Sequence, residues 1–240
     1  EFSFGASSWL TREEIESGKE FDTQFALGLH VPGRFDKVRD VEFCLLQSDV
    51  ANTILAHTHS CADEHDVKAY HQRFHDGFAR HLVVRTSAAE GTVMTVLITT
   101  TPTDETQVAF IESWMSLFPS LPAGSSMIHA VNDTWSPVAT GEIKQCLGPG
   151  YLDEVSHGIT YRVSPFSFFQ TNTKHLPALV EEAMQGAHIT SSDVVWDLYC
   201  GTGTLTLPAA QRAKYVVGAE LSAGSIADAR ANAERNGIAN

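Results

Sequence analysis

Val194-Val-Trp-Asp197-Leu-Tyr-Cys-Gly201-Thr-Gly203-Thr204 is the stretch that decides the fold. Its first five residues, Val194–Leu198, are an apolar run that reads as a buried strand. The strand delivers Asp197 to its carboxyl end. Gly201 and Gly203 then let the backbone turn tightly and approach a ligand closely. A helix follows over Thr204–Ala213, a strand over Tyr215–Glu220 and a helix over Ser222–Asn236. Ser222 caps that last helix, with Ile226, Ala229 and Ala233 facing inward. Just upstream, Leu176, Leu179, Val180, Ala183, Met184 and Ala187 form an apolar helical stripe. This alternation predicts the opening of a doubly wound α/β sheet. Such sheets are covered on both faces. With only two parallel strands present, one edge is expected to be exposed or filled by another chain.

Ligands of open α/β sheets bind at the carboxyl ends of the strands. Glu220 ends the second strand, where an acid accepts hydrogen bonds from both hydroxyls of a ribose. Two nucleotide cofactors share this layout. The NAD fingerprint requires a third glycine for helix packing, and Thr206 stands at that position. Asp197 would also crowd a pyrophosphate with negative charge. S-adenosylmethionine carries a cationic sulfonium and an amino group, which an acidic loop suits. The methyl donor is therefore favoured over a dinucleotide, and over a glycine loop with no ligand.

The first 165 residues read as a separate α+β domain. Glu1–Gly5, Ala26–Val31 and Val38–Phe43 are short strands punctuated by turn residues such as Pro32-Gly33. Val67, Tyr70, Phe74 and Phe78 recur at helical spacing. His81–Arg85 and Thr92–Thr99 are strands around an Ala89-Glu90-Gly91 turn. A helix is expected near Thr106–Phe118, with Val108, Ile111, Met115 and Phe118 on one face. Ser126–Val131 is a strand, and Asp153–Val155 with Ile159–Val163 a hairpin. From about Phe166 the pattern changes. The expected domains are thus 1–165, central α+β, and 166–240, the N-terminal half of a Rossmann-like methyltransferase domain.

The 240 residues are 43% hydrophobic and carry a formal charge of -13. That balance argues against a general phosphate-binding surface. No apolar run is long enough for a membrane span, and no signal-peptide pattern opens the chain. The cysteines, Cys44, Cys61, Cys146 and Cys200, are scattered without a CxxC, which suggests a reducing, cytoplasmic setting. Glu1 falls in a strand-like stretch and Asn240 lies just past a helix end, so the chain is expected to be an excised fragment.

Several motifs together closely resemble the RNA (uracil-5-)-methyltransferase family. They are Ser164-Pro-Phe-Ser-Phe-Phe-Gln-Thr-Asn-Thr173, Asp197–Thr204, Val217-Gly-Ala-Glu220 and Asp228-Ala-Arg-Ala-Asn-Ala-Glu-Arg-Asn-Gly-Ile238. The Phe-Phe-Gln-Thr-Asn stretch is the most specific. Upstream, Glu1–Gly5, Leu27–Asp36, Val41–Cys44 and Gly77–Arg85 look like that family's central domain. The resemblance implies an RNA-binding OB-like domain ahead of this chain. It also implies a nucleophilic cysteine and a general base beyond Asn240, so no catalytic residue is expected here. It assigns S-adenosylmethionine contacts to Gln170, Tyr199, Thr204 and Glu220, with Gly201 and Gly203 shaping the loop. Gln170 would bond the methionine moiety, Tyr199 pack on the cofactor and Glu220 hold the ribose. Thr204 replaces an Asn often found there. Asp197 would orient the loop or meet the cofactor's amino group.

The family's chemistry is a thiolate addition to C6 of uracil that makes C5 nucleophilic, followed by methyl transfer and loss of the C5 proton. Cys200, inside the glycine loop, reads as a small buried residue rather than that nucleophile. In the cluster-bearing branch of the family a cysteine at the position of Cys44 is the fourth ligand of a [4Fe–4S] centre. One thiolate cannot hold the cluster, so Cys44 is expected to be a free thiol here and a ligand only in a full-length protein. His71 and His75 at helical spacing permit a metal pair, but packing or surface roles are favoured. Arg80 and Arg85 could touch RNA phosphate, and Phe166, Phe168 and Phe169 could stack on cofactor or base. Leu27–Asp36 and Cys44 look more like the ribosomal-RNA branch than the tRNA branch. The alternatives are a tRNA enzyme, a small-molecule methyltransferase, or a catalytically inert RNA-binding fragment.

Overall fold

A computed structural model describes residues 1–20 and 25–240. The chain divides into two compact units, Glu1–Thr86 with Val93–Gly150, and Ser87–Thr92 with Tyr151–Asn240.

In chain order the first unit contains β1 (Phe2–Gly5), α1 (Arg12–Glu16), β2 (Ala26–Val31), β3 (Arg34–Asp40), α2 (Asp49–Glu64), β4 (Ala79–Thr86), β5 (Val93–Thr99), α3 (Glu105–Met115), β6 (Ser126–Val131) and β7 (Glu142–Leu147). Its seven strands form one sheet in the order β3-β2-β1-β4-β5-β6-β7. Only β5 and β6 pair parallel, and α3 makes the crossover that a parallel pair needs. The core brings Phe2, Phe4, Leu82, Val84, Leu97 and Met127 of the sheet together with Ile54 and Leu55 of α2 and Phe110 and Trp114 of α3. Trp114, fully buried, keeps its indole N–H satisfied by donating to the Thr58 hydroxyl at 2.9 Å, as a buried ring donor must.

Three expectations for this unit change. The helix expected over Val67–Phe78 is absent. That stretch is a turn closed by the His71–Asp76 bridge, with His75 at φ 55°; Val67, Tyr70 and Phe78 pack singly from it, and Phe74 is exposed. The helix lies earlier, over Asp49–Glu64, capped by the Ser48 hydroxyl. Its buried face includes Asn52, Thr58 and Cys61, polar types that disguise the period. The inward face of α3 is Phe110, Ile111, Trp114 and Met115. Val108 is exposed, and Phe118 opens a separate 3₁₀ turn over Phe118–Ser120. Strands β2 and β6 and the β4–β5 pair fall where expected, whereas β3 begins at Arg34 and ends at Asp40. Helix α1 and the edge strand β7, whose residues are all exposed, had no clear apolar pattern to announce them.

The second unit contains β8 (Leu152–Ser156), β9 (Ile159–Val163), α4 (Leu176–Ala187), β10 (Val194–Leu198), α5 (Thr206–Ala210), β11 (Tyr215–Ala219) and α6 (Ala223–Arg235). Strands β8 and β9 are a hairpin around His157 and Gly158, both at positive φ, the requirement of a two-residue primed turn. Strands β10 and β11 pair parallel, Asp197 opposite Gly218, with α5 as their crossover. The β/α alternation is therefore present, an α/β fold. One expectation for β10 changes: none of its residues is buried, Val195 and Asp197 being half-buried and Val194, Trp196 and Leu198 exposed. Along α4 the buried positions are Leu176, Val180 and Met184, while Leu179 is exposed.

The inward face of α6 also differs. Ser225, Asp228 and Asn232 are its buried residues, not the alanines. The side chains of Asp228, Asn232 and the C-terminal cap Asn236 do for the β9 edge what a neighbouring strand would do. The Thr160 N–H donates to Asn236 at 3.0 Å, Arg162 N–H to Asn232 at 2.6 Å and Ser164 N–H to Asp228 at 3.0 Å. Four helical residues rise about 6 Å and two strand residues about 6.6 Å, so the two periods stay in step. This pairing fixes the β8–β9 hairpin to α6 within the second unit.

Candidate functional site

The site is built at the carboxyl ends of β10 and β11. After Leu198 the chain leaves the sheet at Tyr199, which takes φ 70°. The amides of Tyr199 and Cys200 both donate to the Ala219 carbonyl, at 2.8 and 3.0 Å, which ties the loop's start to the end of β11. Gly201 and Gly203 take φ 54° and 90°, the left-handed conformation that favours glycine. The loop closes with Gly203 N–H donating to the Cys200 carbonyl. Asp197 turns its carboxylate to the Thr206 hydroxyl, the first residue of α5. Thr206, at the position where a dinucleotide fold wants glycine, thus fastens the strand to the helix.

Glu220 follows β11 directly. One carboxylate oxygen accepts from Gly201 N–H at 3.1 Å and the other from Ser222 N–H at 2.8 Å. These amides, that of Ser222 first, hold its pKa below the usual glutamate value, so it is ionised at neutral pH. A carboxylate has about four acceptor sites, and two remain for a ligand. Thr204 is half-buried. Its carbonyl accepts from the Tyr161 hydroxyl at 3.4 Å.

Gln170 lies on the segment between β9 and α4 and is half-buried. Two anchors set that segment. The Ser164 and Ser167 hydroxyls donate to Asp228 at 2.6 and 2.7 Å. Phe169, buried, packs its ring on Tyr161 with centroids 5.4 Å apart. Tyr161 therefore touches both the Gln170 segment and the glycine loop. Phe168 is exposed, so of the three phenylalanines Phe169 is core. Asn232 adds a third tie, donating to the Thr202 carbonyl at 3.1 Å. Tyr161, Asp228 and Asn232 were not singled out from the sequence. The spacing of Asp228, Asn232 and Asn236 along one helix face was the available signal.

Cys200 is buried, and its thiol pKa is pushed up by burial and by the charges of Asp197 and Glu220. It is protonated at neutral pH, in keeping with a packing role. Gly218 gives it room: a Cβ there would stand 2.9 Å from the Cys200 sulfur.

The remaining candidates lie in the first unit. Cys44 is half-buried and its backbone pairs with the Asn52 amide, N–H to Oδ1 at 2.8 Å and carbonyl to Nδ2 at 3.1 Å. Among the described residues no group of three or more His, Cys, Asp or Glu could hold a metal, so these residues do not by themselves build the four-thiolate cage that Cys44 would join. His71 and His75 are not a metal pair on a helix. His71 Nδ1 accepts from the amide of Arg73, and His75 Nδ1 pairs with the Tyr70 hydroxyl. Arg80 does not reach out to phosphate: it is 1% exposed and donates to the carbonyls of Asn132, Thr134 and Ser136. Among the described residues no helix is long and apolar enough to cross a membrane.

Two parallel strands with a glycine loop after the first and an acid after the second define a Rossmann-like nucleotide-cofactor fold. Residues 144–240 match the family model described as tRNA (Uracil-5-)-methyltransferase. A Bacteroides thetaiotaomicron protein named as an uncharacterized RNA methyltransferase is 33% identical over all of this chain and 53% of its own length. A Chlorobaculum tepidum protein of the same description is 34% identical over all of this chain and 50% of its own length. Among solved structures, the Pyrococcus abyssi tRNA (uracil-54, C5)-methyltransferase in complex with S-adenosyl-L-homocysteine superposes with a TM-score of 0.71 at 21% identity, covering 98% of this chain and 53% of that one. The match to that family model lies in residues 144–240, and the chain spans about half the length of the curated relatives it matches.

Proposed function

We propose that these residues hold the S-adenosylmethionine of an enzyme that methylates C5 of uracil in RNA. The observation that carries this reading is Glu220, an ionised carboxylate fixed by the amides of Gly201 and Ser222 beside a glycine loop. Its two remaining acceptor sites suit the vicinal hydroxyls of a ribose. Gln170, whose side chain has no hydrogen-bond partner among the described residues, is assigned to the methionine moiety. Tyr199, with 90% of its surface exposed, is assigned to packing on the cofactor, and Thr204 to a polar contact. Gly201 and Gly203 shape the loop, and Asp197, engaged by Thr206, orients it. The bound cofactor would supply an electrophilic methyl group from its sulfonium.

On the uracil, a thiolate adds to C6, C5 takes the methyl, a base removes the C5 proton and the thiolate leaves. Neither the nucleophile nor the base is assigned to a residue of this chain, and the raised thiol pKa of Cys200 suits it to neither role. Ribosomal RNA is the substrate favoured by the Leu27–Asp36 and Cys44 stretches. The tRNA reading draws on the names of the matching family model and of the Pyrococcus structure.

The test is calorimetric titration of the protein, at the length its gene encodes, with S-adenosylhomocysteine. Binding that Glu220→Ala abolishes and Glu182→Ala leaves unchanged is expected. Binding indifferent to Glu220→Ala overturns the site. Mass spectrometry for 5-methyluridine in ribosomal and transfer RNA transcripts then decides between the substrates.

A further inference from the structure

One surface feature of the first unit is not used by the cofactor site. Trp135 is 75% exposed, yet its indole is held in place. It stacks on the His75 imidazole, with centroids 4.9 Å apart and planes 12° from parallel. His75 is fixed at φ 55° and by its Nδ1 contact of 3.1 Å with the Tyr70 hydroxyl. The guanidinium of Arg80 lies over the Tyr70 ring, 4.1 Å from its centroid. Arg80 Nη1 donates to the Asn132 and Thr134 carbonyls and Nη2 to the Ser136 carbonyl, each at 2.6 Å. A buried cation answered by backbone carbonyls and a ring face, with no ion pair of its own, is costly to desolvate. What it fixes is the loop on which Trp135 stands. Phe74, 70% exposed, lies beside His71 on the neighbouring turn, with centroids 4.4 Å apart.

We propose that the open face of Trp135, stiffened by His75, Tyr70 and Arg80, is a stacking platform for an unpaired base of the RNA substrate; this rests on the RNA reading above. Proteins read single-stranded RNA by stacking splayed bases on aromatic side chains. An indole with one face on imidazole and the other in solvent offers that surface without an ordering cost at binding. The net charge of -13 is unfavourable to a grip led by phosphate, whereas a ring–ring contact is indifferent to it. Asp76, next to His75 in sequence, and Asp133, two residues before Trp135, add to that negative charge.

The test uses the gene-length protein and a fluorescein-labelled short oligouridylate, with an abasic oligomer of equal length as control. Trp135→Ala is expected to weaken oligouridylate binding about tenfold, the scale of one lost stack, while Trp135→Phe keeps most of it. The abasic oligomer should bind weakly and equally to all three proteins. Oligouridylate binding that Trp135→Ala leaves unchanged, or that the abasic oligomer matches, overturns the proposal and assigns the rings to a protein partner. Undetectable binding by the unsubstituted protein also overturns it. S-adenosylhomocysteine binding is measured on the same samples. If it persists without any Trp135 effect, the platform fails and the cofactor site stands; the converse result fails the cofactor site alone.

Discussion

Asn232 holds the backbone of Arg162 by two hydrogen bonds: it accepts from the Arg162 N–H at 2.6 Å and donates to the Arg162 carbonyl at 3.2 Å. The same amide nitrogen donates to the Thr202 carbonyl at 3.1 Å. One fully buried side chain on α6 therefore stands in for a strand at the edge of β9 and also fixes the floor of the glycine loop.

Replacing Asn232 by Ala removes the partner of three backbone groups at once, the buried Thr202 carbonyl and the part-buried N–H and carbonyl of Arg162. Each unsatisfied group costs about 1–3 kcal/mol, and relaxation will recover part of that, so a loss of about 3 kcal/mol is expected. Asn236→Ala, nearer the helix end and half-buried, should cost about 1 kcal/mol. Urea denaturation of the two variants measures the difference. Equal losses would show that the tie to the loop contributes nothing.

That helix shows where the sequence was legible and where it was not. Its boundaries and its Ser222 cap, which accepts from Ser225 N–H at 3.3 Å, follow from capping chemistry that acts locally. Its buried face does not, because Asp228 and Asn232 are buried for hydrogen bonding to a distant strand, and an apolar pattern cannot report that. Helix α2 was hidden for a related reason: Asn52 and Thr58 are buried to satisfy Cys44 and Trp114. At the site, the loop and Glu220 were readable from residue types alone. Tyr161, which packs on Phe169 and reaches the Thr204 carbonyl, depends on a tertiary contact and was not.

Gly218 is set by its neighbour rather than by its own backbone. Its would-be Cβ meets the Cys200 sulfur at 2.9 Å and the Cys200 Cβ at 3.2 Å. Gly218→Ala should destabilise the protein by about 1–3 kcal/mol, the usual scale of overpacking. Cys200→Ala removes the nearer atom, so in that background the same change should cost distinctly less. A double-mutant cycle on denaturation midpoints reads the coupling. The same cost in both backgrounds would sink the packing account of Cys200.

Two buried histidines in the first unit make stability depend on pH. Burial holds both His81 and His129 down to about 4, helped at His81 by neighbouring Arg80. Between about 4 and the ordinary value near 6.5 the unfolded chain binds more protons than the folded one, so stability falls as pH falls through that window. Each histidine contributes about 3 kcal/mol at most to the loss. Urea midpoints should drop between pH 7 and pH 5, and the drop should shrink in His129→Asn. A midpoint indifferent to pH over that range would falsify the neutral buried state.

Arg80 is expected to act on RNA only through the ring it positions. Lysine keeps the charge but is a single point donor, and it cannot reproduce a guanidinium forked across three carbonyls. Arg80→Lys should therefore lower stability by about 2 kcal/mol through the carbonyls it leaves unpaired. It should also weaken oligouridylate binding, because the 132–136 loop no longer holds Trp135 against His75. In a Trp135→Ala background the ring is already gone, so Arg80→Lys should have no further effect on binding while still lowering stability. A further loss of RNA affinity in that background would mean that Arg80 reaches the RNA by itself. Its burial beneath Tyr70 and three backbone oxygens argues against this.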